Sequence, residues 1–432
     1  MTETVQRRHS PAAGLTTAPR LTTARGAALY IGALLGPGLL LLPGLAAAEA
    51  GPASVLAWAG LLVLSGLFAV VFGSLGRGFP SAGGVIGYVR AGLGQRASVI
   101  TGWSFLAGVV AGAPVVCLIG AGYVTELTGG GRLARALIAT LLLAAVIALA
   151  AGGLRSSATA QLLLVGLLLG VVIVAVAGSA GSSHAANWSP FAPHGWQAVG
   201  RAASTLMLSF VGWEAVAPLT NRFTEPGRQL PRVIGIALAV TSVLYLGLAI
   251  ATVGVLGAGA GISAPLAALL RDAAGPAGTV AAAVAAVVLT LGAVNAYVTG
   301  AAEMAVELTR PADARAAAGP AGRPAPRFLA VIAVFGLALI TLYGFGLASP
   351  AALVAIPTTL FLAVYLGCMT SAVRVLRGPA RLAAVPATVI VAVVLGYCGL
   401  ALLAPLAVIA AVCAARPFAA ALRAAREPRE SR

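Results

Sequence analysis

Long apolar runs alternate with short polar breaks from one end of the chain to the other. Each run is about twenty residues long, the length that crosses a hydrocarbon core. The pattern predicts twelve membrane helices, over 26–50, 54–75, 98–123, 133–151, 158–180, 197–220, 233–256, 278–306, 328–348, 351–373, 382–399 and 400–415. The last two share one apolar run. Three connections stand out. Gly76–Arg96 reads as a long glycine-rich loop, and Gly181–Trp196 as a polar loop whose Trp188 and Trp196 suit a headgroup-level aromatic belt. Arg310–Arg327 reads as a Pro- and Ala-rich linker.

Two spans carry breakers in their interiors. The first contains "GALLGPGLLLLPG" (Gly32–Gly44), with Gly36-Pro37-Gly38 at its middle. The sixth contains "STLMLSFVGWEAVAPLTNRF" (Ser204–Phe223), with Gly212, Glu214 and Pro218. The second of them lies five spans after the first, an odd offset, so the two run in opposite directions. That is the pattern of a five-plus-five inverted repeat, here 26–180 and 197–376, followed by two further helices over 382–415. Tails at 1–25 and 416–432 complete the expected organisation.

Proline lacks an N–H, and its ring opposes the carbonyl four residues back, here that of Ala33. A backbone group unpaired at mid-membrane costs several kcal/mol unless protein or a polar ligand satisfies it. Proline also suits a first helical turn. Pro37 is therefore expected to start a second half-helix, with the N–H groups of Gly38, Leu39 and Leu40 forming an anion site. The preceding half-helix, ending near Leu35, should offer carbonyls to an ammonium group. Together these suit a zwitterionic α-amino acid. The alternative for Gly32 and Gly36 is close helix packing through a small-x-x-x-small pair.

Glu214 is the one acidic residue deep in a span; Glu49, Glu126, Glu303 and Glu307 lie at span ends. Desolvation at such depth favours the neutral form, so Glu214 could take up and release a proton. The alternative is a structural carboxyl bonded across helices. Phe210, Val211 and Trp213 flank this break and could line or gate a site, or simply pack. Asn295 and Tyr297 are polar groups within an apolar span. His9, His184 and His194 lie outside the spans.

Composition narrows the class. The 432 residues are 60% hydrophobic and 9% charged, against about a quarter charged in a soluble domain. This is a polytopic membrane chain. A net charge of +16 would suit a nucleic-acid partner, but its distribution argues otherwise. The chain has no lysine, and 23 of its 27 arginines fall in the tails and even-numbered loops. That asymmetry places both termini in the cytoplasm. Cys117, Cys368, Cys398 and Cys413 lie in apolar runs without C-x-x-C spacing, so neither a disulfide nor a metal site is expected. "LAAAEA" resembles a signal cleavage site, but the apolar run before it is too long for a signal peptide.

Several stretches resemble the amino acid–polyamine–organocation permease superfamily. These are "GALLGPGLLLLPG", "FPSAGGVIGYVRAGLG" (Phe79–Gly94), "SFVGWEAVAPLTNRFTEPGRQLPR" (Ser209–Arg232) and "NAYVTGAAEMAVELTR" (Asn295–Arg310). "LGRGFPSAGG", "TGWSFLAG" and "FVGWEA" are most similar to bacterial efflux permeases for methionine and branched-chain amino acids. The resemblance implies an all-α, LeuT-like fold with broken helices 1 and 6 in a bacterial inner membrane. It implies proton-coupled export, with no cofactor beyond the coupling ion. It assigns substrate binding to Leu35, Gly36, Gly38, Phe210 and Gly212, and a gating or proton role to Glu214. Pro37 stands where a small hydroxyl residue is usual, and Glu303 where a basic one is.

With the residues already argued, the candidate site is Leu35, Gly36, Pro37, Gly38, Leu39, Phe210, Val211, Gly212, Trp213 and Asn295, plus Glu214. The apolar lining favours a neutral substrate with an apolar side chain, carried as an importer, exporter or exchanger. A major-facilitator carrier would place its long linker between spans six and seven. An enzyme would need clustered His, Asp, Cys or Ser, and a nutrient sensor would need a signalling domain.

Overall fold

The computed structural model describes residues 22–79, 84–153, 158–216, 223, 225–262, 264–309 and 324–424. The expected tail 1–25 lies outside the described residues up to 21, as do 310–323 of the linker, Pro218 and the C-terminal tail beyond 424.

The described chain is helical. Its helices are α1 (Thr23–Leu34), α2 (Leu42–Ala50), α3 (Ser54–Gly78), α4 (Val85–Thr128), α5 (Arg132–Ala151), α6 (Ala158–Gly178) and α7 (Gln197–Leu206). They continue with α8 (Trp213–Val216), α9 (Pro226–Ala251), α10 (Pro265–Thr309), α11 (Pro326–Gly344), α12 (Pro350–Val375), α13 (Pro379–Gly396) and α14 (Leu403–Ala424). Eight described segments are long and apolar enough to cross a membrane, and two shorter apolar helices cover Leu162–Gly178 and Gly399–Ala414.

Two groups of helices divide the interior. One packs α1, α2, α3, α7 and α9 together; the other packs α4 against α5, α10 and α12, with α11 on α5. Apolar side chains fill both, because without water the helices gain mainly from close packing. Trp58, Phe68, Phe72, Leu39 and Leu40 are among the most deeply buried.

The chain between 85 and 96 departs from the expected loop. It is helical from Val85, breaking at Gly94, whose φ of 82° no helix accommodates. Val85, Ile86, Tyr88 and Val89 bury one apolar stripe, which outweighs the glycine content that suggested a loop. The helix around the predicted span 278–306 likewise extends back to Pro265, with a kink at Ala274 and Gly275.

Candidate functional site

Helix α1 ends at Leu34, and Leu35 (ψ 75°) and Gly36 (ψ 171°) leave helical geometry. Pro37 occupies the opening of a 3-10 turn, Pro37–Leu40, and α-helical bonding resumes only at Leu42. This corrects the expected half-helix starting at Pro37. The second start is served by Pro43, at the head of α2, where a missing N–H costs nothing.

The backbone groups of this stretch are largely engaged. Leu34 O accepts from Gly36 N–H at 3.0 Å and lies 2.6 Å from the Tyr245 hydroxyl. Leu39 N–H donates to Gly36 O at 3.2 Å. Tyr123 donates its hydroxyl to Leu40 O at 2.5 Å. The freely available carbonyls and the three-donor cradle expected from the sequence are thus reduced, because tyrosines from α4 and α9 and the 3-10 turn satisfy part of them.

Helix α7 passes into a 3-10 turn, Met207–Phe210, followed by extended Val211 and by Gly212 at φ 147°. Only glycine adopts that backbone without strain. Helix α8 then begins at Trp213. Gly212 N–H donates to Glu214 Oε2 at 2.9 Å. The Tyr365 hydroxyl accepts from Gly212 N–H and Trp213 N–H at 3.1 and 3.2 Å and donates to Glu214 Oε2 at 2.5 Å. Oε2 therefore accepts twice, which leaves Oε1 as the other oxygen of this carboxyl. That oxygen is buried and has no hydrogen-bond partner in the described protein. Trp213 Nε1 donates to Ser65 Oγ at 2.9 Å.

The two stretches meet. Tyr245 reaches Ser209 O at 2.7 Å with the hydroxyl that also faces Leu34 O. A Cβ added at Gly38 would stand 2.9 Å from Ser209 Oγ, itself buried without a partner. Trp58, Phe210 and Tyr245 stack their rings at 4.9–5.8 Å around this crossing, and Tyr30 meets Trp213 edge-on.

Of the residues predicted for the site, the structure gathers Phe210, Gly212, Trp213 and Glu214 around Tyr365 and brings Gly38 against Ser209. Leu35, Leu39 and Val211 are buried in the same stretches, and Gly36 is half-buried. Asn295 is buried on α10, and Tyr297 packs edge-on against Phe361. Tyr123, Tyr245, Tyr365, Ser65 and Ser209 were not among the predicted residues. The signal was present: each is a hydroxyl set in an apolar run, as in "SVLYLGLA" and "FLAVYLGC". Among the described residues, no three His, Cys, Asp or Glu side chains stand together as a metal site.

Residues 21–420 match the family profile described as amino acid permease. The chain belongs to this family. The permease YecA of Bacillus subtilis, itself uncharacterized, is 33% identical over 335 residues, 76% of this chain and 79% of that protein. The L-methionine/branched-chain amino acid exporter YjeH of Escherichia coli is 34% identical over 204 residues, 47% of this chain and 48% of YjeH. The crystal structure of MhsT in complex with L-phenylalanine superimposes with a TM-score of 0.58 at 14% identity, over 89% of this permease and all of that chain. This permease is therefore a multi-pass membrane protein with a LeuT-type fold, and its relatives are transporters rather than enzymes.

Proposed function

We propose that this permease exports neutral, apolar amino acids of the methionine and branched-chain type, in exchange for protons, by alternating access. Four features support the reading. The name of YjeH gives the substrate class and direction of a relative matching about half the chain. The lining is apolar: Leu35, Leu39, Phe210, Val211 and Trp213 are all buried. A charged substrate would need a second buried charge, and among the described residues no charged side chain other than Glu214 is buried. The 23-to-4 arginine asymmetry puts both termini in the cytoplasm.

The substrate's zwitterionic head would sit at Leu35–Leu39 and Phe210–Trp213, with Asn295 facing it from α10. Helix interruptions of this kind present unpaired N–H and C=O groups to opposite ends of a zwitterion. Glu214 is the proton carrier in this reading. The carrying observation is its geometry: Oε2 is fixed by Gly212 and Tyr365, and Oε1 is buried without a partner. Loss of the proton changes the charge directly beside the second interruption.

Counterflow of labelled neutral amino acids in proteoliposomes tests the proposal, run across pH and with or without sodium. Methionine, leucine, isoleucine and valine should exchange, with a pH dependence and no sodium requirement. Sodium-dependent exchange would overturn the proton assignment. No movement of any neutral amino acid would overturn the substrate class.

A further inference from the structure

Four arginines lie on the face that the charge asymmetry assigns to the outside: Arg132, Arg135, Arg201 and Arg271. Two of them have acidic partners. Arg201 pairs with Glu49, and Arg271 Nη1 stands 3.7 Å from Glu126 Oε1. Arg132 and Arg135 do not: among the described residues no ion pair includes either. Both guanidinium groups stand instead over one ring, that of Tyr343 on α11, at 5.7 and 5.9 Å from its centroid. Arg135 Nε also approaches Thr125 Oγ1 at 3.5 Å. Arg132 Nη1 lies against the turn at Gly346, where any Cβ would collide with it.

This placement is costly for the chain alone. An aromatic ring attracts a cation without cancelling its charge, and two like charges drawn to one ring repel. The arginines also open α5, at the end where the helix dipole is itself positive, and no acidic residue stands in that first turn. The arrangement therefore calls for an anion from outside the chain.

The surroundings decide which anion. Helices α5 and α11 pack together, and only 28% and 33% of their most apolar stretches is buried, against 83% in α4. Leu133, Leu137 and Leu141 recur every four residues along α5 and are 64%, 67% and 69% exposed. In a membrane chain such a stripe meets acyl chains, and an aromatic ring with basic side chains at its end marks the headgroup level. A soluble anion would use the charges and leave the stripe idle. A phospholipid uses both, because its phosphate matches the guanidinium fork. Arg135 and Tyr343 also line a cavity of about 20 Å³ that touches Leu41, where the first interruption joins α2.

We propose that Arg132 and Arg135 hold the phosphate of an anionic phospholipid whose chains lie along the leucine stripe of α5. This site is separate from the interruptions and does not depend on the amino-acid reading above.

Native mass spectrometry of the purified full chain, titrated with phosphatidylglycerol or phosphatidylcholine, tests it. Phosphatidylglycerol should show a tight binding phase that phosphatidylcholine lacks. Arg132→Gln and Arg135→Gln should each weaken that phase by about fivefold, the effect of one basic side chain at an anionic headgroup, and the double variant by about 20-fold. The double lysine variant, which keeps the charge, should retain most of the binding. Arg271→Gln, on the same face but at a paired arginine, should leave it unchanged. Absence of the tight phase, or an equal loss in Arg271→Gln, overturns the site. Displacement of the lipid by glycerol phosphate, which carries the anion without chains, overturns the lipid as its occupant.

Discussion

The two interruptions solve the same problem by different means. At the first, Leu35–Leu41, neutral hydroxyls from distant helices serve the backbone: Tyr245 at Leu34 O and Tyr123 at Leu40 O. At the second, Phe210–Trp213, the chain brings its own carboxyl, Glu214, and ties it to Gly212 and Tyr365. The first is held by groups that stay neutral at ordinary pH. The second is held by a group that can change charge. In a low-dielectric interior a charge change outweighs the rearrangement of a neutral hydrogen bond, so pH sensitivity should concentrate at the second interruption and the first should act as a fixed receptor.

Glu214→Gln should break this asymmetry most severely. It keeps an acceptor near Gly212 but removes the titration, so pH-dependent counterflow should fall by about 100-fold, the upper range for losing charge-assisted bonds. Full pH dependence in that variant would make the two interruptions equivalent. Next is Gly38→Val, which forces carbon against Ser209 Oγ and Leu42 Cδ1, each 2.9 Å from the Cβ position. Leucine affinity should weaken by about 10-fold or more, as overpacking of a tight contact costs roughly 1–3 kcal/mol. Tyr365→Phe and Tyr245→Phe form a matched pair, each removing one hydroxyl. Transport should fall by about 10-fold in both, corresponding to about 1.4 kcal/mol, but only Tyr365→Phe should alter the pH profile. Tyr123→Phe should have the smallest effect, about 1 kcal/mol of stability for one neutral hydrogen bond, seen as a lower unfolding temperature with an unchanged pH profile.

Features whose cost is local were legible in the sequence. A proline between glycines inside an apolar run announces an irregular backbone, and a lone carboxyl at depth announces a special environment. Leu34 is indeed the last residue of α1, and Glu214 is 5% exposed with its carboxyl bonded to the backbone beside it. Features that depend on tertiary meeting were not. Nothing near Leu34 reveals that Tyr245, on a helix far along the chain, will face its carbonyl. The helix over 85–96 was obscured for a different reason: its glycines suggested a loop, while its four-residue apolar stripe found a surface to cover. Glu49 and Arg201 read as ordinary span-end charges, and nothing near either one reveals that they pair with each other across 152 positions of sequence.

The Tyr245 phenol has a single hydrogen for two carbonyls. Leu34 O has the Gly36 N–H as a second donor, so that hydrogen can turn toward Ser209 without leaving the first segment bare. Rotation about one C–O bond is enough to exchange partners. The crossing of the interrupted segments is thereby a swivel rather than a rivet: one hydroxyl hydrogen can serve either segment while the tally of hydrogen bonds stays constant.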